Sequence, residues 1–153
     1  MQLSKNLSLS EMIISDSAKR AGISNMPTEE HLANMKKLAI NVFQPIREHF
    51  NTPIHISSGY RSIQLNKLIG GVASSQHSTG EAMDIDMDGS TISNAQIFDW
   101  IKHNIVFDQL IWEFGTDANP DWVHVSYEST GKQRKQILKS IKKNGHTVYI
   151  PYN

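Results

Sequence analysis

Two polar stretches far apart in the chain must meet in space for their side chains to act as one site. The first is Ser75-Gln76-His77-Ser78-Thr79-Gly80-Glu81-Ala82-Met83-Asp84, and the second is Asp121-Trp122-Val123-His124. Together they offer two imidazoles and a carboxylate, from His77, Asp84 and His124, with Asp121 three residues before the last of these. A borderline-soft divalent ion such as zinc favours that set, and a catalytic site leaves one of four places to water. A fold that serves this chemistry has to lay the Asp84 segment near the His124 segment. Alternation makes strands of both. Asp84 and Asp86 share one face of Ala82 to Asp86, and Trp122, His124 and Ser126 share one face of Trp122 to Tyr127. If these faces are neighbours, His124 and Asp84 can share an ion that His77 reaches from the loop before. Gly80 lets backbone come close there, and the small Ala82 leaves room.

The chain has 153 residues and no cysteine, so a disulfide framework and a thiolate metal site are both excluded. Zinc, if held, rests on His and carboxylate alone. No repeat, linker or low-complexity segment interrupts the sequence, and one domain over residues 1–153 is expected. Neither an apolar run of secretory length nor a membrane-spanning stretch is present, so synthesis in the cytoplasm without an export signal is expected. Formal net charge is zero but unevenly spread. From Glu128 to Asn153 six Lys/Arg face one acid, leaving the remainder at −5. An edge strand whose lysines block sheet pairing explains this better than attraction to an anionic polymer. No nucleic-acid motif or interleaved aromatics accompany it, so nucleic acid is not an expected partner.

Helices dominate the first half. Ser8-Leu9-Ser10-Glu11 opens a short helix as a capping box, with Gly22 as its end. From Thr28 the set Leu32, Met35, Leu38, Val42, Ile46 and Phe50 recurs at helical spacing, with Pro45 expected to kink or split the helix. A strand over residues 53–57, a helix over 62–69 stopped by Gly70-Gly71, and a helix over 94–104 follow. Strands are expected over 109–114 and 122–127, and then over 134–139 and 147–150 around Asn144-Gly145. Helices first and strands later, with hairpin-like connections, give an α+β fold: N-terminal helices packed on a mainly antiparallel sheet that carries the zinc site.

The run S-x-H-x-x-G-x-A-x-D, the following acid-x-x-H and the upstream Ser58-Gly59-Tyr60-Arg61 together resemble the zinc D-Ala-D-Ala carboxypeptidase family over about Asn6 to Tyr127. That family includes D-Ala-D-Ala dipeptidases and the L-alanyl-D-glutamate endopeptidases of phage endolysins. The resemblance implies one zinc per chain on His77, Asp84 and His124. It implies Asp121 as the catalytic acid, where many members carry Glu, and Arg61 as the arginine that contacts substrate. The partner implied is a peptidoglycan stem peptide, met by a monomer. A chain without a leader fits a phage or prophage lysin released by host lysis better than a resident carboxypeptidase. Ser75 and Gln76 are expected as further polar contacts to substrate.

The residues leave alternatives open. Glu113, at a strand end after Ile111-Trp112, rivals Asp121 as the base. Asp84-Ile85-Asp86-Met87-Asp88-Gly89 matches the opening of a calcium-binding EF-hand loop, but position twelve is Ala95 where a bidentate Glu is needed. Asp86 or Asp88 then remains as support for the site. A wall-binding module without turnover would have no need of the base. His31, His49, His55, His103 and His146 have no partner pattern and read as structural or exposed.

Overall fold

The computed structural model describes every residue from Met1 to Asn153. A small hairpin opens it, β1 (Gln2–Ser4) with β2 (Leu7–Ser8), which the alternation was too short to announce. The capping box at Ser8 and Glu11 forms as expected, but the helix it starts, α1 (Leu9–Ile13), stops early. Ser15 caps a second one, α2 (Asp16–Ala21), by accepting the Ala18 N–H, and Gly22 ends it in a left-handed conformation.

The long amphipathic helix is split, for the reason Pro45 supplies. α3 (Glu29–Leu38) widens into a π-helical turn, Ala39–Phe43, before α4 (Gln44–Phe50). Proline has no N–H to return and its ring presses on the carbonyl four residues back. The wider turn, in which the Gln44 N–H reaches Ala39, takes up that conflict without ending the apolar stripe. Met35, Leu38, Val42, Phe43 and Ile46 all stay in the core.

Six strands form the main sheet: β3 (Ile56–Ser58), β4 (Ala82–Ile85), β5 (Gln109–Glu113), β6 (Trp122–Ser126), β7 (Gln136–Lys143) and β8 (His146–Pro151). They lie in the order β3-β4-β6-β5-β7-β8. Every pairing is antiparallel except β5 with β7. β3 starts later than its sequence pattern, because Pro53 has no N–H to donate to a neighbouring strand. β7 and β8 turn on Asn144 and Gly145, both at positive φ, which suits a tight hairpin. β7 lies between two strands, so its lysines do not guard an edge; β8 is the edge and carries none. Lys139 and Arg134 are instead paired with Asp117 and Asp108.

Register gives the sheet two unlike faces. Met83, Ile85, Val123, Val125, Leu110 and Trp112 face the helices, where α6 (Asn94–Asn104) adds Ile97, Phe98 and Ile101. The other face carries Asp84 opposite His124, His124 opposite Ile111, and Glu113 opposite both Trp122 and Ser140. A slip of one residue in β6 would drive His124 into the core and expose Val123 and Val125, so core burial pins the polar face in place. α5 (Ile63–Leu68), capped by Ser62, follows β3 at one end of the sheet. The chain between β4 and α6 is not a calcium loop: Asp84 lies in the ladder and Ala95 in a helix.

Candidate metal and catalytic centre

His77 sits on a single 3₁₀ turn, Gln76–Thr79, and the turn is built to hold it. Ser75 accepts the His77 N–H at 3.3 Å. Gln76 donates to Asp108 at 2.9 Å, and the buried Asp108 is clamped in turn by the Arg134 N–H and guanidinium at 2.7–3.0 Å. Ser75 and Gln76, expected at substrate, thus have structural tasks. Gly80 ends the turn at φ +79°, with its α-carbon so close to α3 that a Cβ would lie 2.5 Å from the His31 carbonyl oxygen. Asn34 of α3 donates to the Thr79 carbonyl at 2.9 Å, locking turn to helix.

His77 Nδ1 lies 2.7 Å from the Gly59 carbonyl oxygen. A carbonyl only accepts, so Nδ1 donates to it and Nε2 is the nitrogen turned toward the other two groups. Nε2 is 3.4 Å from Asp84 Oδ1 and 3.3 Å from His124 Nδ1, and the last two are 3.1 Å apart. A tetrahedral zinc with arms of about 2.0–2.1 Å separates its ligand atoms by about 3.3–3.4 Å. The three edges therefore fit a zinc-sized ion, with His77, Asp84 and His124 as the group that could hold it. Burial alone would raise the Asp84 carboxyl; the His77 and His124 imidazoles reverse this and hold it well below the usual carboxylate range. His77 and Asp84 are buried and His124 is partly so, so access comes from one side.

Arg61 follows β3 on a stretch braced from several directions. The Tyr60 N–H donates to the Met12 carbonyl, Asn25 donates to the Tyr60 carbonyl and accepts the Ser62 N–H, and the Arg61 N–H reaches the His77 carbonyl at 3.1 Å. Its guanidinium keeps only a long contact to Asn66, at 3.4 Å, and leaves a buried Nε without a partner. Burial lowers its pKa, while the charges of Asp84 and Glu113 and the Tyr149 phenol oppose that. Arg61 is thus electrostatically part of the His77–Asp84–His124 group, with donors to spare.

Glu113 lies on the same face as this trio. Glu113 is buried, accepts the Ser140 hydroxyl, and feels the charges of His124, Asp84 and Arg61; burial pushes its carboxyl up. Asp121 lies just ahead of β6, outside the ladder that sets the two faces. It is exposed, and its main chain is held from behind, the N–H on the Glu113 carbonyl and the carbonyl on Asn94. Glu113 is thus the acid whose charge interactions reach the trio, while Asp121 stands just ahead of the strand that carries His124. Asp86 and Asp88 likewise stand apart: Asp86 accepts from Asn94 and from the Asp88 N–H.

The Peptidase M15 family model matches residues 5–126, which is most of the chain and includes all three ligand candidates, Arg61 and Glu113. The chain belongs to the peptidase M15 family. No curated protein matches it closely enough to add to that assignment. An M15 peptidase is a hydrolase, and the buried His-Asp-His group fits a metallopeptidase site. Residues 127–153, with β7 and β8, lie beyond the matched segment. No helix is long and apolar enough to cross a membrane.

Proposed function

We propose that this M15 chain is a zinc endopeptidase that hydrolyses a bond within bacterial peptidoglycan stem peptides, of the kind used by phage or prophage lysins. The observation that carries the reading is the convergence of His77 Nε2, Asp84 Oδ1 and His124 Nδ1 within 3.1–3.4 Å on a sheet face that also bears Glu113. Zinc held by His77, Asp84 and His124 supplies Lewis-acid polarisation of water and of the scissile carbonyl. Glu113 is the general base: it takes a proton from the attacking water as the O–C bond forms and passes it to the amine as the C–N bond breaks. A carboxyl raised by burial suits both directions of that transfer near neutral pH. Arg61, with a guanidinium short of partners, stabilises the charge that develops on the carbonyl oxygen or clamps a substrate carboxylate.

Purified sacculi digested with zinc-loaded, chelated and zinc-restored protein provide the test, with new termini identified by mass spectrometry. The expected result is a new internal amino terminus in the stem peptide that chelation abolishes and zinc restores. Release of terminal D-Ala alone would identify a carboxypeptidase instead, and no new terminus with loaded protein would end the reading.

A further inference from the structure

The C-terminal hairpin lies outside the family-matched segment, yet it reaches into the site. Ser140 of β7 donates its hydroxyl to Glu113, and the Phe114 N–H donates to both the Ser140 carbonyl and its hydroxyl oxygen at 3.2 Å. The next residue along this row is Tyr149 of β8, paired with Ser140. Trp122, Glu113, Ser140 and Tyr149 thus form one line across four strands on the metal-site face. Directly paired residues project to the same side of a sheet.

Tyr149 differs from the other tyrosines of that region in having no evident structural task. Tyr60 bonds His31 through its hydroxyl at 2.9 Å, and Tyr152 packs its ring on Phe98 and Trp112. Tyr149 is 53% exposed on the working face. Burial, Glu113 and Asp84 raise its phenol while Arg61 opposes them, so it stays a protonated donor and lies within electrostatic reach of all three. A phenol on a rigid strand offers a ring for contact area and an O–H for direction at low entropy cost.

We propose that the β7–β8 hairpin is a working wall of the cleft and that Tyr149 contacts the substrate, donating its O–H to a peptide carbonyl of the bound stem peptide. The inference rests on the peptidase reading above. Tyr149→Phe keeps the ring and removes the donor. It should lower kcat/KM on stem peptide about tenfold, the range of one neutral hydrogen bond, with Tm and zinc stoichiometry unchanged. Calorimetry of intact stem peptide on Glu113→Gln protein supplies a readout without turnover, and adding Tyr149→Phe should weaken that Kd by a similar factor. Lys143→Ala, at the hairpin tip on the opposite face, should leave both quantities as they were. Values for Tyr149→Phe within about twofold of the parent in both assays would overturn the proposal. So would a loss that comes only with a lower Tm, or an equal loss in Lys143→Ala. A wild-type protein that cleaves no stem peptide is a different failure, that of the peptidase reading, and the inference falls with it.

Discussion

Replacing Glu113 by Gln separates the chemistry of the site from its stability. Gln is nearly isosteric and its amide oxygen still accepts the Ser140 hydroxyl, so the geometry of β5 and β7 is kept. What goes is the proton-transfer group. General base catalysis contributes on the order of 10²–10⁴-fold, or about 2.7–5.4 kcal/mol of barrier, and kcat should fall by that much. Stability should move the other way. Burial raises the folded-state pKa of Glu113 above that of the unfolded chain. A group shifted in that direction supports the fold while protonated and loses that support as pH rises through the folded value. At neutral pH the ionised carboxylate is therefore a cost that Gln removes, so metal-free Glu113→Gln should melt at or above the wild-type temperature. That advantage should vanish on acidification. The companion variant is Asp121→Asn, at the exposed acid just ahead of β6. With Glu113 as the base it should escape the loss of about 10²-fold or more that removing a general base brings. Stem-peptide hydrolysis followed by mass spectrometry, with zinc content and thermal melts alongside, decides the matter. An inactive Asp121→Asn beside an active Glu113→Gln would refute Glu113 as the base and give that role to Asp121.

Other perturbations probe the frame. His124→Ala removes one of three ligands, and metal analysis should show zinc falling from about one per chain toward none in a folded protein. Gly80→Ala forces a Cβ against the His31 carbonyl in left-handed backbone; it should destabilise by about 1–3 kcal/mol in denaturant melts and weaken zinc uptake by displacing His77. Asp108→Asn breaks the clamp between Arg134 and Gln76. Burial alone would raise that carboxyl, but the Arg134 and Gln76 hydrogen bonds outweigh it and hold the pKa below the ordinary value. Its stabilisation is thus present above the unfolded-state pKa and lost as pH falls through the folded one. The variant should cost about 1–3 kcal/mol at neutral pH and progressively less in acid, measured as ΔTm against pH.

Local and chemical features were legible along the chain. Residue types with metal-ligating capacity, spaced by strand alternation, singled out His77, Asp84 and His124, and the structure brings all three together. Caps and periodicity likewise placed α5, α6 and most of the strands, because hydrogen-bond caps and buried stripes are near-neighbour effects. Pro45 announced a break in the long helix, though not that a π-helical turn would carry the core stripe through it. The acid beside the trio was a different matter. Asp121 is close to His124 in sequence but lies ahead of β6, where strand alternation no longer sets the direction of a side chain. Glu113 comes beside the trio because β5 pairs with β6 in one register, set by the burial of Leu110, Trp112, Val123 and Val125 on the face behind. Ser140 and Tyr149 enter through a parallel pairing of β7 with β5 that no local pattern encodes. Strand order and register are decided by the whole core at once, so they became legible only in the folded chain.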